Sequence, residues 1–193
     1  VSFSAHPEWF PAIEGARRRI ITRLAARQAR TVVTVSAFSR QEIVDYLGVP
    51  ATRVSVIPHG LTLGPHPRRA AADPAPPRLL YVGTILNRRH VPDLVRAVAR
   101  LSRSRPDVDL DLVGDNRTAP HEDIDALIAA EGLAGRARWH RFVPDETLRA
   151  LYAGARAFAF LSEYEGFGLT PIEALAAGLP PVVGDTPAAR ETC

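Results

Sequence analysis

The sequence has a single cysteine, no methionine and no lysine, so arginine supplies all 24 of its basic residues. Because one thiol cannot close an intramolecular disulfide, the chain is not a disulfide-stapled scaffold, and its composition fits a reducing compartment. It also has no apolar run near the roughly 18 residues that a membrane-spanning helix requires. We therefore expect a cytoplasmic protein, with peripheral contact at the inner membrane as the alternative.

What the chain does contain is ordinary for a folded globular protein, with 193 residues of which 46% are hydrophobic and 23% are charged. That length allows one large domain or parts of two. The net charge of +3 describes a mildly basic surface, which suits a nucleotide, an anionic membrane or a nucleic acid but is as common on a mixed solvated surface. Since the sequence starts at Val1 without an initiator methionine, we expect it to be part of a longer chain.

The most informative segment is a short apolar run followed by a glycine-containing loop and the start of a helix. The run over residues 157–161 predicts a buried parallel strand. In the helix that follows, Thr170 suits the N-cap, Pro171 the first helical position and Glu173 the third position of a capping box. A helix N-terminus attracts an anion, and small residues let the backbone approach it. The segment therefore predicts a phosphate seat, flanked by Glu165 and Glu173.

Strands and helices alternate strictly after about residue 78, which predicts a Rossmann-like α/β domain with a parallel sheet and helices on both faces. The predicted strands cover residues 79–83, 109–114, 138–143, 157–161 and 181–184, and the predicted helices cover 93–102, 122–130, 145–154 and a segment after Thr170. Ligands of such sheets bind beyond the carboxyl ends of the strands. The candidate phosphate seat lies at that edge.

A shorter strand–helix–strand unit precedes this series. Its predicted elements are a helix over 17–30 with an apolar side and an arginine side, a strand over 31–35, a helix from the Ser36 cap to residue 46, and a strand over 53–57. The residues expected on the apolar side of the first helix are Ile20, Ile21 and Leu24. Residues 63–77 are proline-rich and predict an interdomain linker. We thus expect residues 1–62 to end one domain and residues 78–193 to form most of another.

The string Glu165-Gly166-Phe167-Gly168-Leu169, followed by Glu173-Ala174, resembles the signature of retaining glycosyltransferase family 4, whose members share the two-domain GT-B fold. The resemblance implies that Glu165 contacts the hydroxyls of the transferred sugar and that Glu173 accepts hydrogen bonds from the ribose of the donor. Plain alternatives are a solvated Glu165, a capping Glu173 and a core-packing role for Phe167. The donor-binding residues implied here are Glu165, Gly166, Phe167, Gly168, Leu169, Thr170 and Glu173.

A second loop, which runs from Gly83 to His90, resembles the family's loop after the first strand of the donor domain. The resemblance implies that Arg89, where the family usually has lysine, neutralises the leaving diphosphate. Some members carry a further arginine at the position of Thr84, and the resemblance implies that Arg88 partly replaces it. A solvated charge pair is the plain alternative for both arginines. Gly83, Thr84, Arg88 and Arg89 thus join the donor-binding set, with Arg89 and Glu165 as the catalytic pair.

Further segments extend the resemblance along the chain. Residues 142–146 resemble a stretch that lies by the nucleotide base, which adds Val143 to the donor-binding set. Residues 31–60 resemble the end of the family's N-terminal domain in their V-S-x-F-S and V-I-P-x-G strings. The six histidines show no metal-ligand spacing, and GT-B enzymes generally need no catalytic metal. We expect no metal and no cofactor beyond the nucleotide-sugar donor.

The function that the resemblance implies is retaining transfer of a mannose-like or glucose-like hexose from a nucleotide-diphosphate sugar to the hydroxyl of a saccharide or lipid-linked saccharide. A non-catalytic nucleotide-sugar binding module is the alternative. The arginine-rich helix over 17–30 also suits an anionic membrane surface. A nucleic acid is not expected, because no aromatic platform accompanies the basic residues.

Overall fold

The computed structural model describes residues 1–61 and 76–193. All but the last two residues of the predicted linker therefore lie outside the described part of the chain. Within that part, the strands form one parallel sheet of two strands and one parallel sheet of five. None of its helices is both long enough and apolar enough to cross a bilayer.

The two-stranded sheet and its helices form the first part of the chain. The elements are α1 (Ser2–Ala5), a 3₁₀ turn (Pro7–Trp9), α2 (Ala12–Gln28), β1 (Val32–Thr34), α3 (Ala37–Glu42) and β2 (Val54–Val56). Ser36 caps α3 as predicted, because its hydroxyl oxygen accepts the backbone N–H of Ser39. The helix continues as a π-helical turn (Ile43–Leu47), which Gly48 ends in the left-handed conformation.

Helix α2 contradicts the predicted burial of its apolar side. Ile20, Ile21 and Leu24 are 60%, 56% and 56% exposed, whereas the buried residues of the helix are Gly15 and Ala26. Two short strands cannot cover a helix of 17 residues, so α2 packs through its small residues and leaves the large aliphatic ones outside. The helix also begins five residues before the predicted start.

The five-stranded sheet occupies the second part of the chain, where the predicted alternation is confirmed. The strands are β3 (Arg78–Val82), β4 (Asp109–Val113), β5 (Ala137–His140), β6 (Ala157–Phe160) and β7 (Pro181–Val183), and the helices are α4 (Val91–Leu101), α5 (Ile124–Ala130), α6 (Asp145–Gly154), α7 (Leu169–Ala176) and α8 (Pro187–Thr192). Strand β5 stops three residues before the predicted end, because its neighbour β4 ends at Val113, which is paired with His140.

The main hydrophobic core lies on both faces of the central strands. Leu80, Tyr81, Leu110, Leu112 and Phe158 are completely shielded from solvent. Parallel strands that are covered on both faces consist of continuous apolar runs, so their positions could be predicted well from the sequence. Burial of such a side chain stabilises the fold by roughly 1.5–3 kcal/mol, and the strands stabilised in this way end at the candidate site.

The strand order, β5-β4-β3-β6-β7, places a topological switch between β3 and β6. From β3 the chain proceeds outward through β4 to β5, and from β6 it proceeds in the opposite direction to β7. Loops that leave neighbouring strands in opposite directions open a crevice at the carboxyl edge of the sheet. The two loops singled out in the sequence are the ones that follow β3 and β6.

Candidate active site

An ion pair joins the two loops at the switch point. Arg89 ends a 3₁₀ turn (Asn87–Arg89), and its Nε donates to Glu165 Oε1 at 2.8 Å. The two side chains are only 16% and 19% exposed. A charge-assisted hydrogen bond in such a partly dry position is stronger than one in water. The structure therefore brings the predicted catalytic pair into direct contact.

The backbone of the first loop supports Arg89 from below. Its Nη1 donates to the Thr84 carbonyl at 3.1 Å, and its guanidinium lies over the Phe160 ring, 5.1 Å from the ring centroid. Gly83 has a φ of 149°, and a Cβ added there would come within 2.8 Å of Arg89 Nη1. The predicted residues Gly83 and Thr84 thus hold the arginine in place, since glycine alone satisfies both the backbone angle and the close approach.

Tyr81 is part of this support, although the sequence gives it only the character of a core residue. Its hydroxyl donates to the Thr84 carbonyl at 3.1 Å, and its ring stacks on Phe160 at 5.8 Å. Burial raises the pKa of Tyr81 to about 12, and the nearby Arg89 opposes that rise. A neutral phenol therefore lies beneath the arginine, where it adds a hydrogen bond and no charge.

Ser162 supports Glu165 in a similar way. Its buried hydroxyl lies 3.0 Å from Glu165 Oε1 and 3.2 Å from the Tyr164 carbonyl, so it donates to one or the other. Both Arg89 and Ser162 contact Oε1 of the glutamate. Among the described contacts, Oε2 is then the oxygen left for a ligand. Nothing in the sequence motif signals Ser162 beyond its position directly after the strand.

An open cleft of about 310 Å³ lies over the pair, bounded by residues from both parts of the chain. Seven of the predicted site residues line it, namely Arg89, Glu165, Gly166, Phe167, Gly168, Leu169 and Thr170. The lining also includes Val35, His59 and Phe160, which the sequence analysis did not select. His59 follows β2 and meets the Phe167 ring edge-on at 5.1 Å. The cleft thus combines the ends of strands from the two parts of the chain.

The start of α7 differs from the prediction. Its N-cap is Gly168, in the left-handed region at φ 88°, and no side chain caps the helix. Thr170 and Pro171 therefore lie inside the first turn, so the predicted capping box between Thr170 and Glu173 is wrong. The loop turns sharply at Gly168, so the helix begins at Leu169, earlier in the chain than predicted. First-turn N–H groups have no acceptor within their own helix, and those of Leu169 and Thr170 can serve an anion.

Three other predicted site residues, Glu173, Val143 and Arg88, contact residues outside the cleft. Glu173 accepts a hydrogen bond from the Tyr152 hydroxyl at 3.4 Å, and burial followed by the Glu173 charge raises the pKa of Tyr152. Val143 is partly buried and packs against the main core. The Arg88 guanidinium lies over the Trp9 ring at 5.7 Å, and burial lowers its pKa. The structure thus does not place these three among the residues that line the cleft.

The positive charge of the site comes from arginine and from helix geometry. Across residues 1–61 and 76–193, no group of three His, Cys, Asp or Glu side chains lies close enough together to hold a metal ion. The candidate anion seat consists instead of Arg89 and the first turn of α7. Such a seat suits a phosphate group, whose charge a helix N-terminus and a guanidinium both stabilise.

Comparison with known families assigns both parts of the chain. The family described as "Glycosyl transferases group 1" matches residues 66–193, and the one described as "Glycosyltransferase Family 4" matches residues 2–64. The first match covers more than half of the chain and contains both loops of the site.

Individual proteins agree with the family match. The chain is 34% identical to the O-antigen chain mannosyltransferase B of Escherichia coli, over 80% of this chain and 43% of that protein. It is 31% identical to a glycogen synthase of Mycobacterium tuberculosis, over 93% of this chain and 43% of that protein. The crystal structure of Anabaena Alr3699/HepE in complex with UDP and glucose shares the fold, with a TM-score of 0.74 at 23% identity, over 97% of this chain and 52% of that one. The chain thus spans about half the length of these relatives or less.

Proposed function

The chain belongs to the group 1 glycosyl transferases. We propose that it acts as a retaining glycosyltransferase, which moves a hexose from a nucleotide-diphosphate sugar to an acceptor hydroxyl. The observation that carries this proposal is the Arg89–Glu165 pair at the switch point, beside the first turn of α7. Mannose and glucose are the proposed sugars, since the similar proteins include a mannosyltransferase and a glycogen synthase. The proposed acceptor is a saccharide or a lipid-linked saccharide.

We propose a separate task for each half of the pair. As the glycosidic bond breaks, negative charge accumulates on the leaving diphosphate, and Arg89 with the first turn of α7 stabilises it. Glu165 Oε2 accepts a hydrogen bond from a hydroxyl of the sugar, while Oε1 stays bonded to Arg89 and within hydrogen-bond distance of the Ser162 hydroxyl. Since these groups supply the positive charge, we propose that transfer is independent of metal. We also propose that residues 78–193 bind the donor and that residues 1–62 close the acceptor side.

Glu173 has two compatible tasks in this proposal. A carboxylate accepts several hydrogen bonds, so we propose that Glu173, which contacts Tyr152, also accepts from the ribose hydroxyls of the donor. Val143 and Arg88 belong to the outer part of the donor site, next to the base and the phosphates. Arg88 reaches the phosphates only by leaving the Trp9 ring, over which its guanidinium now lies.

A thermal-shift panel tests donor binding. GDP-mannose, UDP-glucose, dTDP-glucose and ADP-glucose are compared, each with Mg²⁺ and with EDTA, because a ligand that binds the folded state raises its melting temperature. One nucleotide should raise it, with or without metal, and Arg89→Ala should reduce the shift. Arg100→Ala, an exposed arginine on α4, is the matched control and should keep it. No shift with any donor, from folded protein, would overturn the proposal.

Transfer separates the enzyme from a non-catalytic binding module. A mixture of the selected donor and oligosaccharide acceptors should yield a product whose anomeric configuration, measured by proton NMR, equals that of the donor. Binding without product would favour the module, and a product of inverted configuration would exclude the retaining mechanism.

We also propose a peripheral membrane contact through α2. Ile13, Ile20 and Ile21 are 87%, 60% and 56% exposed on a helix that also exposes Arg17 and Arg18, and basic helices with apolar residues lie in anionic membrane interfaces. The protein should co-sediment with anionic but not with neutral vesicles. Reversal of Arg17 and Arg18 to glutamate should abolish this, whereas reversal of Arg100 and Arg103 should not. Equal sedimentation of both double variants would contradict the contact.

A further inference from the structure

Two serines from the first part of the chain hold the backbone of the loop that carries Glu165. The Gly166 carbonyl accepts hydrogen bonds from Ser36 Oγ at 2.5 Å and from Ser39 Oγ at 3.1 Å. The donors lie 130 and 127 residues before the acceptor in the sequence. Both belong to the start of α3, outside the five-stranded sheet. The backbone of the site loop is therefore held by residues that lie outside the proposed donor domain.

These bonds fix the orientation of one peptide group. In a trans peptide, the carbonyl and the N–H of the following residue point in opposite directions. Because the Gly166 carbonyl points at α3, the N–H of Phe167 points away from α3. Gly166 and Phe167 both line the cleft, directly after Glu165. The serines thus determine in which direction a backbone donor of the cleft lining is presented.

Helix α3 is itself anchored at both ends, so it can fix the orientation of this peptide group. Glu191 of α8 accepts the N–H groups of Ala37 at 2.7 Å and Phe38 at 3.2 Å, the first two residues of the helix. At its other end, the Tyr164 hydroxyl donates to Glu42, whose side chain is buried. The loop and the C-terminal helix therefore hold α3 at both ends, and the peptide that it orients has little freedom to rotate.

We propose that Ser39, together with Ser36, is a positioning residue for the sugar half of the donor. The two hydroxyls hold the Gly166–Phe167 peptide so that the Phe167 N–H is presented to a hydroxyl of the hexose. This inference rests on the proposed transferase function. Its consequence is that residues of the first part of the chain set the affinity for the sugar without contacting it, while the affinity for the nucleotide stays as it is.

Ser39→Ala is the informative variant. The side chain of Ser36 also caps α3, so a change there would affect the helix itself. At position 39 the capping bond uses the backbone N–H and survives, and alanine favours a helix more than serine does. Only the bond to Gly166 is then lost. Ser39→Thr keeps the hydroxyl, and Ser104→Ala removes a hydroxyl bonded to Leu101 near the end of α4.

Isothermal titration with four ligand pairs tests the inference, namely GDP with GDP-mannose, UDP with UDP-glucose, dTDP with dTDP-glucose and ADP with ADP-glucose. For the pair that the protein binds, Ser39→Ala should weaken the sugar nucleotide about fivefold, as the loss of one hydrogen bond implies. Affinity for the bare diphosphate should be unchanged. Ser39→Thr and Ser104→Ala should both match the unaltered protein.

The outcomes separate this inference from the function on which it rests. If none of the four pairs binds to the unaltered protein, the proposed donor function fails, and the inference fails with it. If the diphosphate binds as tightly as the sugar nucleotide, or if Ser39→Ala weakens both equally or neither, the positioning role is overturned and the donor site stands.

Discussion

Arg89 is engaged by the protein before any ligand arrives. Its Nε donates to Glu165 and its Nη1 to the Thr84 carbonyl, while a guanidinium offers five donor hydrogens in a fixed plane. We propose that the remaining hydrogens bind the phosphates of the donor. A donor held in place beforehand costs no reorganisation as charge develops, which is the condition for electrostatic catalysis. The ion pair is thus best understood as a support for the arginine.

Removal of either partner should affect transfer far more than folding. We expect Arg89→Ala to lower kcat by about 10²–10³-fold, the usual effect of losing a preorganised charge donor. Glu165→Gln should lower it by less, because the amide oxygen still accepts from Ser162. Steady-state kinetics measure the effect, and circular dichroism checks the fold. Arg100→Ala is the control, and a similar loss of rate in that variant would contradict a specific role for Arg89.

At this scale, the sequence could identify residues only through their types. Arg89 and Glu165 stand in a recognisable motif, and the structure joins them. Tyr81 and Ser162 carry no such mark, because a tyrosine within an apolar strand looks like core and a serine after a strand looks like a turn. They matter because they support the Arg89–Glu165 contact, which the pairing of β3 with β6 makes possible and no local pattern contains.

Among the elements, α7 shows how a loop can override a good capping signal. A threonine, a proline and a glutamate in helical spacing are a sound prediction of a helix start. The helix nevertheless begins at Leu169, because Gly168 takes a left-handed conformation and ends the loop there. Helix α2 departs from its predicted burial for another reason. Its sheet is too small to cover its large aliphatic residues, which therefore stay exposed. The strands of the five-stranded sheet were predictable because burial on both faces leaves an unbroken apolar run.

Replacement of Gly168 tests the account of α7. An alanine in the left-handed region costs about 1–2 kcal/mol, so Gly168→Ala should lower the free energy of unfolding by that amount. Gly154, the last residue of α6, has an ordinary backbone angle and open space around it. Gly154→Ala should therefore be neutral or slightly stabilising. Urea unfolding of both variants makes the comparison, and equal stability would show that the conformation at Gly168 is not strained.

For the molecule as a whole, the absence of lysine reduces the number of side-chain types that titrate at alkaline pH. With no lysine present, the tyrosines are the side chains that change charge between about pH 10 and pH 12. Burial raises the pKa of Tyr81, Tyr152 and Tyr164. A tyrosine in an unfolded chain ionises near pH 10, whereas Tyr81 does so at about 12. Its contribution to stability is therefore complete below pH 10 and is lost as the pH rises through 12.

The free energy of unfolding should accordingly fall by about 1.4 kcal/mol per pH unit for Tyr81 between these limits. Urea unfolding at pH 9, 10 and 11 measures the slope, and absorbance at 295 nm follows tyrosinate directly. Tyr81→Phe should reduce the slope. A slope that is unchanged in this variant would mean that Tyr81 ionises as readily in the folded protein as in the unfolded one.

The contacts of α3 also bear on how sequences of this kind can be recombined. The two family matches divide the chain near residue 65, which is a natural crossover point for building hybrids of related transferases. Yet α3, before that point, bonds to Gly166 and Glu191, after it. A hybrid in which only the second half is exchanged, as a test of the proposed donor specificity, inherits its α3 from the other parent. Compatibility at positions 36, 39 and 42 then decides whether the new loop keeps the conformation in which it evolved.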